Sequence, residues 1–192
     1  LDAADALRAK RRRALAKLDT LTQAIFIDMF GDPRTNTRNI PSQPLGELVK
    51  LRSGDSLTAS AMTDGPYRVY GGNGVSGLHN AYMFDGPQIA IGRVGVYCGC
   101  VHVTEPRSWI TDNALYISEM SQSLSAGYLA AALKEAALNQ YANQAAQPLI
   151  SGSRVYPVSI LVPPMPDQLR FERATGSTAQ LQRRAMASGE AL

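Results

Sequence analysis

The two ends of this 192-residue chain carry nearly the same short sequence, and this internal repeat limits how the chain can be organised. Arg-Arg-Ala-Leu-Ala at positions 12–16 corresponds to Arg-Arg-Ala-Met-Ala at positions 183–187, an offset of 171 residues. The chain between the two copies is long enough to form a domain with its own core. The repeat therefore predicts one unit of a duplicated protein, in which similar helices flank a functional insert.

The first segment has the hydrophobic periodicity of a long helix that packs against a helical partner. Its apolar residues follow a three- and four-residue alternation that only Arg11 interrupts, which is typical of a coiled-coil seam. Gly31 and Pro33 predict the end of this helix, because glycine accepts a left-handed cap and proline cannot continue the helix. The residues of the predicted seam are Ala4, Leu7, Ala14, Leu18, Leu21 and Ile25.

The middle of the chain consists of short β-branched and aromatic runs that Gly, Pro, Asn and Asp separate, a pattern that predicts strands. The alanine- and leucine-rich stretch 125–141 predicts a helix, with Ser123 or Ser125 as its N-cap. Pro166 and Asp167 favour the first turn of a closing helix. The predicted strands are residues 48–52, 67–70, 88–91, 94–103, 109–117 and 155–162.

Together these elements predict the α+β class. We expect a spacer helix over residues 1–31, a β-rich domain over residues 45–164 and the start of a second helix over residues 166–192. No apolar run approaches the roughly 20 residues needed to cross a bilayer, and the start lacks the layout of a signal peptide. With two cysteines placed too far apart along one strand to pair, we expect a cytoplasmic protein that is not associated with a membrane. Because the helical pattern is already running at Leu1, we expect a fragment or a processed chain.

The distribution of charge restricts how the chain can meet nucleic acid. The formal net charge is +3, yet residues 45–165 contain 7 basic and 8 acidic side chains, so the surplus lies at the ends. A nucleic-acid-binding domain is often basic, and this insert is not. Phosphate contacts would therefore require a local cluster of basic groups. The basic run 11–13 is interpreted as a solvated helix face rather than a phosphate site.

Three groups of residues are typical of binding or catalytic sites, and each has a structural alternative. Residues 72–77 match G-x-G-x-x-G, but a turn at 85–87 interrupts where a dinucleotide site needs a helix, so a tight loop is expected. Cys98, Cys100 and His102 would share one face of a strand, but no second cluster completes a tetrahedral metal site. We therefore predict buried cysteines and no metal.

Residues 111–113, Thr-Asp-Asn, form the third group. A carboxylate beside an amide is suited to catalysis or to reading a base edge, whereas the alternative is an Asx-type hydrogen bond that holds a bulge between strands. No histidine or second acid is placed to complete a general acid–base pair or a catalytic triad. The sequence therefore predicts no catalytic centre and no cofactor.

Several segments resemble the specificity subunit of type I restriction–modification enzymes. The most specific are Gly-Pro-Gln-Ile-Ala-Ile-Gly-Arg-Val-Gly-Val-Tyr-Cys-Gly at 86–99, and Gln-Pro-Leu-Ile-Ser-Gly-Ser-Arg at 147–154 followed by Val-Pro-Pro at 162–164. Residues 67–77 and 111–115 and the first helix also match. The resemblance covers nearly the whole chain but only one of the two recognition domains of such subunits, and Cys100 stands where many relatives have Asn.

The resemblance implies a subunit that reads double-stranded DNA and performs no chemistry. Such subunits recruit methyltransferase subunits, which bind S-adenosylmethionine, and restriction subunits, which hydrolyse ATP. Each recognition domain is followed by a helix, and the two helices pack antiparallel as a coiled coil that sets the distance between half-sites. This chain then corresponds to the helix after the first domain, the second domain and the start of the second helix.

Loops projected from a rigid sheet are suited to reading base edges with polar side chains. Some of the residues on these loops also have structural roles open to them: Arg93 can pair with Asp85 or Asp112, Tyr97 can pack in the core, and Arg154 can hold its turn. The residues that we predict to contact DNA are Arg52, Ser53, Asn73, His79, Arg93, Tyr97, Arg107, Ser153 and Arg154.

Two further interpretations remain open at this point. The chain can be a natural half-subunit that forms a homodimer through its helices and so recreates two recognition domains on a palindromic split target. It can also be a protein-interaction scaffold without DNA affinity, which the net charge of −1 over residues 45–165 favours. A stand-alone enzyme is the least favoured class.

Overall fold

The computed structural model describes residues 2–143 and 148–187, which form a mixed α+β protein. The helices are α1 (Asp2–Phe30), α2 (Leu45–Leu48), α3 (Ala126–Glu135), α4 (Gly152–Val155) and α5 (Met165–Ala187). The strands are β1 (Ser42–Pro44), β2 (Val49–Ser53), β3 (Tyr67–Gly71), β4 (Gly74–His79), β5 (Ile89–Gly92), β6 (Val101–Val103), β7 (Trp109–Ile110), β8 (Ala114–Met120) and β9 (Ser159–Leu161). Short 3₁₀ turns occur at Ala59–Ala61, Gly95–Tyr97 and Leu138–Tyr141. The chain divides into two compact units, Leu1–Ile40 with Pro163–Leu192, and Pro41–Val162.

The first unit is built on contacts between α1 and α5. Phe26 and Phe30, in the last two turns of α1, both lie 5.8 Å from the ring of Phe171 near the start of α5, measured between ring centroids. All three rings are buried and pack together as an aromatic cluster between the two helices. Gly31, with a φ of +79°, ends α1 in the left-handed conformation that the sequence predicts.

The buried face of α1 differs from the predicted seam. Leu7 and Leu21 are about half exposed, at 50% and 49%. Leu18 lies on the more buried face, which ends at Phe26 and Phe30. Ala14 of the predicted seam is exposed as well, whereas Ile25 is half-buried like Leu18, so the seam residues are only partly covered within this chain. The packing of this seam against a helical partner stays a prediction. The backbone of both copies of the repeat, 12–16 and 183–187, is helical. The side chains of the second copy, of Arg11 and Arg12 and of the predicted seam residue Ala4 lie outside the described part, as do all of residues 188–192.

The second unit contains three small sheets. The largest has the strand order β2-β8-β5-β6 with antiparallel pairing throughout. A second sheet has the order β4-β3-β7, in which β3 and β7 run parallel, and β1 pairs with β9. Tyr70, Ala90, Ile110 and Ala114 form a buried cluster that joins strands of the two larger sheets. Helix α3 lies within the same unit, where the buried Tyr128 hydroxyl donates to the carbonyl of Leu161 at 2.9 Å.

The predicted strand over 94–103 is wrong. Gly95 and Gly99 have φ values of +75° and +88°, which an extended strand does not accommodate, and only Val101–Val103 is a strand. Cys98 therefore does not share a strand face with Cys100 and His102. It is buried after a 3₁₀ turn, and its thiol donates to the carbonyl of Arg93 at 3.1 Å.

Several other helices and strands begin or end at residues that differ from those predicted. The predicted 109–117 strand is broken by a turn at 111–113, and the predicted 155–162 strand shortens to β9 because Val155 closes the short helix α4. Helix α3 ends at Glu135 rather than at 141, since Ala137 adopts a left-handed φ of +48°. These segments are apolar enough for either structure, so tertiary contacts decide between them. None of the described helices is long and apolar enough to span a membrane.

Candidate nucleic-acid interface

One end of the four-stranded sheet meets the tip of the β3–β4 hairpin. Gly71 pairs with Gly74, so Gly72 and Asn73 form a two-residue turn. This turn packs so closely on Gly92 that a Cβ atom there would lie 2.3 Å from the carbonyl oxygen of Gly72. The glycine motif therefore permits a close approach of two backbones, and its turn belongs to a hairpin rather than to the start of a helix.

Arg93 lies at this sheet end. Its Nη1 donates to Ser53 Oγ at 3.2 Å, and its backbone N–H donates to the carbonyl of Asn113 at 2.9 Å. Its Nε is buried and has no hydrogen-bond acceptor within the described part of the chain. No ion pair joins Arg93 to Asp85 or Asp112 among the described residues. The partner of the guanidinium is the Ser53 hydroxyl instead of an acidic side chain.

A cleft beside the hairpin tip is lined by Asn73, Tyr97 and Asn113. Tyr97 is 49% exposed, so it is not a core residue. The turn that carries Asn113 is held by Thr111, whose Oγ1 accepts the Asn113 N–H at 3.4 Å and whose carbonyl accepts the Ala114 N–H at 3.0 Å. A local hydrogen bond does hold this turn, but it is made by Thr111 rather than by Asp112 or Asn113.

His79 does not join this group. It is buried at the far end of β4, where its Nδ1 accepts the backbone N–H of Thr63 at 3.1 Å. The ring meets Trp109 edge to face, with centroids 5.5 Å apart. Arg107 is exposed in the loop that precedes β7, with a left-handed φ of +54°, and is likewise remote along the strand from the hairpin tip.

The remaining predicted residues are exposed, and none of them is among the described residues that line the cleft. These residues are Arg52, Ser153 and Arg154. Arg52 pairs with Tyr116 across β2 and β8, and its side chain alternates with that of Ser53, so the two face opposite sides. Ser153 and Arg154 lie on α4, shortly after Ile150, whose N–H donates to the Arg93 carbonyl at 2.8 Å. The Ser153 hydroxyl lies 2.9 Å from that of Ser151.

Sequence reasoning missed Val96, which lies at the tip of the 94–97 turn, and it considered Asn113 for reading a base edge without including it among the predicted DNA contacts. The signal for the turn was the spacing of Gly95 and Gly99, since two glycines inside an apolar run mark a bend rather than a continuous strand.

Burial raises the pKa of the neighbouring Cys98 thiol, which keeps it protonated and unreactive. Within the described part of the chain, no three His, Cys, Asp or Glu side chains are grouped as a metal site.

Comparison with known proteins confirms the resemblance that the sequence indicated. No family model matches the chain. The Type I restriction enzyme EcoprrI specificity subunit of Escherichia coli is 28% identical over 151 residues, which cover 72% of this chain and 37% of that protein. This chain therefore spans much less than the full length of the curated relative.

Solved structures show the same mixed α+β fold. The S subunit of a type I restriction–modification system from M. genitalium has a TM-score of 0.66 and 16% identity, covering 98% of this chain and 51% of that one. The HsdS subunit from Thermoanaerobacter tengcongensis has a TM-score of 0.57 and 17% identity, covering 97% of this chain and 49% of that one. The chain thus matches about half of each solved subunit.

Proposed function

We propose that this chain is a DNA-recognition part of a type I restriction–modification specificity subunit. Residues 45–164 form the target-recognition domain and read duplex DNA, while the chain itself performs no reaction and needs no cofactor. Separate methyltransferase and restriction subunits carry out the chemistry on a split target in the cytoplasm. The likeness to specificity subunits in sequence and to S and HsdS subunits in fold supports this assignment.

The observation that carries the proposal is the position of the Arg93 guanidinium. It is anchored by Ser53 at the sheet end, and its Nε has no acceptor among the described residues. A buried donor without a partner costs roughly 1–3 kcal/mol, so this position of Arg93 lowers stability, which is typical of a functional rather than a structural residue. Arginine binds the O6 and N7 atoms of guanine through two parallel hydrogen bonds, and DNA phosphates offer the same kind of acceptor.

The polar groups around Arg93 fit the reading of base edges. Asn73 and Asn113 line the adjacent cleft, and amides pair with the N6 and N7 atoms of adenine in the major groove. Tyr97 adds an exposed ring with a hydroxyl. This local group provides what the net charge of the domain does not: a small polar surface with one fixed cation.

The other predicted residues have supporting roles in this proposal. Arg52, Arg107, Ser153 and Arg154 are exposed and suited to phosphate contacts, which position a protein on the duplex without reading its sequence. His79 is buried, so we propose that it supports the hairpin beneath the reading surface instead of contacting a base.

Helices α1 and α5 are proposed to form the antiparallel coiled coil that sets the spacing between half-sites and binds the methyltransferase subunits. The clustering of Phe26, near the end of α1, with Phe171, near the start of α5, supports an antiparallel direction. A homodimer of half-subunits is a second candidate, favoured by the exposure of Leu7, Leu21 and Leu181 on these helices. Sedimentation distinguishes the two, because only the homodimer doubles the mass without a partner subunit.

Titration of the chain against duplex DNA at several salt concentrations tests the proposed function. A reader that neutralises several phosphates loses affinity steeply with salt, with a slope near −0.9 per phosphate contact. Arg93→Ala should weaken binding by about fivefold to 150-fold, because a well-placed pair of arginine hydrogen bonds discriminates by ~1–3 kcal/mol. Lys134→Ala, on the exposed side of α3, is the control. Salt-independent binding, or equal effects of the two variants, would contradict the proposal.

A further inference from the structure

We propose that Val96 reads the 5-methyl group of thymine in the major groove, at the tip of a rigid ridge formed by residues 94–97. The inference rests on the proposed function and assigns a base-specific contact within it. Val96 is 87% exposed, the largest exposed fraction among the large hydrophobic side chains that the structure describes. Exposed apolar residues are common on protein surfaces, so the inference depends on how this one is presented.

The ridge is fixed by backbone hydrogen bonds on both sides of its tip. The Gly95 N–H donates to the Pro148 carbonyl at 2.9 Å, and the Cys98 N–H donates to the Gly95 carbonyl at 3.0 Å. At the base, the Gly99 N–H donates to the Gly92 carbonyl at 2.8 Å. Valine also has a stiff χ1 angle. The backbone that carries Val96 is therefore held in place before any ligand arrives, and the valine side chain has few rotamers to lose on contact.

The ridge separates two clefts, and Gly95 borders both of them. Asn73 and Asn113 line the cleft on one side, and Asn139 and Gln140 line the cleft on the other. Asn143 also borders the second cleft, but its Oδ1 accepts the Leu149 N–H at 2.7 Å. Asn139, which also lines this cleft, is exposed. An exposed apolar residue thus lies between two clefts that are each lined by asparagine residues.

This arrangement complements the edge of an A·T base pair. In the major groove adenine offers N7 and N6–H₂ to an amide, and its partner thymine offers a methyl group to an apolar side chain. None of the described residues that line the two clefts is charged, so these surfaces are not suited to an acidic or basic peptide. Phosphate contacts are left to the arginines outside the ridge. The surface therefore favours a duplex that contains A·T pairs.

Selection from a random duplex library by the 192-residue chain, followed by removal of single methyl groups, tests the inference. Each thymine of the selected sequence is replaced in turn by deoxyuridine, which lacks only the 5-methyl group. We expect one replacement to weaken binding about fourfold, the value for burying one methyl-sized group. Val96→Ala should lose a similar factor on the thymine duplex and should no longer distinguish thymine from uracil at that position.

Val103→Ala is the matched control, because Val103 is also exposed but lies on β6, away from the clefts. It should retain the wild-type preference for thymine. Indifference of the wild type to every deoxyuridine, or retained discrimination in Val96→Ala, would overturn the inference while leaving the proposed function intact. If the chain selects no sequence at all, the proposed function fails and the inference fails with it.

Discussion

Ser53 and Arg93 are separated by 40 residues in the chain, and Arg93 Nη1 donates a 3.2 Å hydrogen bond to Ser53 Oγ. The two residues lie on β2 and directly after β5, and both of these strands pair with β8. The central strand therefore brings them to the same end of the sheet. This bond fixes the direction of a guanidinium that otherwise has several rotatable bonds.

Removal of the Ser53 hydroxyl should weaken DNA binding through Arg93. In Ser53→Ala we expect duplex affinity to fall between about twofold and tenfold, since a typical hydrogen bond contributes ~0.5–1.5 kcal/mol. The loss should disappear when Arg93→Ala is already present, which a double-mutant cycle measures. Ser118→Ala removes a hydroxyl of the same sheet that bonds to the Lys50 carbonyl, and it should leave affinity unchanged. If the losses of affinity in Ser53→Ala and Arg93→Ala simply add in the double variant, Ser53 does not act by positioning Arg93.

The close approach of Gly92 to the hairpin tip should make this position intolerant of any side chain. A Cβ at Gly92 would lie 2.3 Å from the Gly72 carbonyl oxygen and 2.5 Å from that of Tyr97. We expect Gly92→Ala to lower the free energy of unfolding by about 3 kcal/mol, because backbone atoms must move to admit the methyl group. A Cβ at Gly86 meets nothing within 4 Å, so Gly86→Ala serves as the control in urea denaturation. Equal midpoints for both variants would refute the close packing.

Phe171 should be the main anchor between α1 and α5. Its ring contacts both Phe26 and Phe30, and its side chain is buried. We expect Phe171→Ala to destabilise the first unit by about 3–5 kcal/mol, as large-to-small changes in a core do. Leu169→Ala, on the exposed side of α5, should change stability by less than about 0.5 kcal/mol. Circular dichroism during denaturation measures both, and similar losses for the two variants would contradict the anchor.

The two cysteines should differ in reactivity. Burial raises the pKa of Cys98, so at a given pH its thiolate is less populated than that of an ordinary thiol, whereas Cys100 is less buried. Reaction with iodoacetamide requires the thiolate, so Cys100 should be labelled first and Cys98 clearly more slowly as the pH rises from 7 to 9. Mass spectrometry of digested protein gives both rates. In urea the rates should converge, and faster labelling of Cys98 in the folded chain would exclude its buried position.

The general architecture followed from signals that are local in the chain. Apolar periodicity with Gly31 and Pro33 predicted the end of α1, and short β-branched runs predicted most of the strands. The repeat at 12–16 and 183–187 predicted that both ends are helical, and the resemblance to specificity subunits came from short segments alone. These features depend on residues a few positions apart, so the order of the amino acids suffices to recognise them.

The composition of the candidate site depended on contacts between distant segments. Residues 94–97 form a ridge because Pro148 accepts the Gly95 N–H, and Ser53 meets Arg93 because both neighbouring strands pair with β8. His79 is withdrawn from the surface by Thr63 and Trp109. Such pairings are selected by packing and hydrogen bonding over the whole unit. The chain order determines which groups are available for recognition, and long-range packing determines which of them reach the same surface.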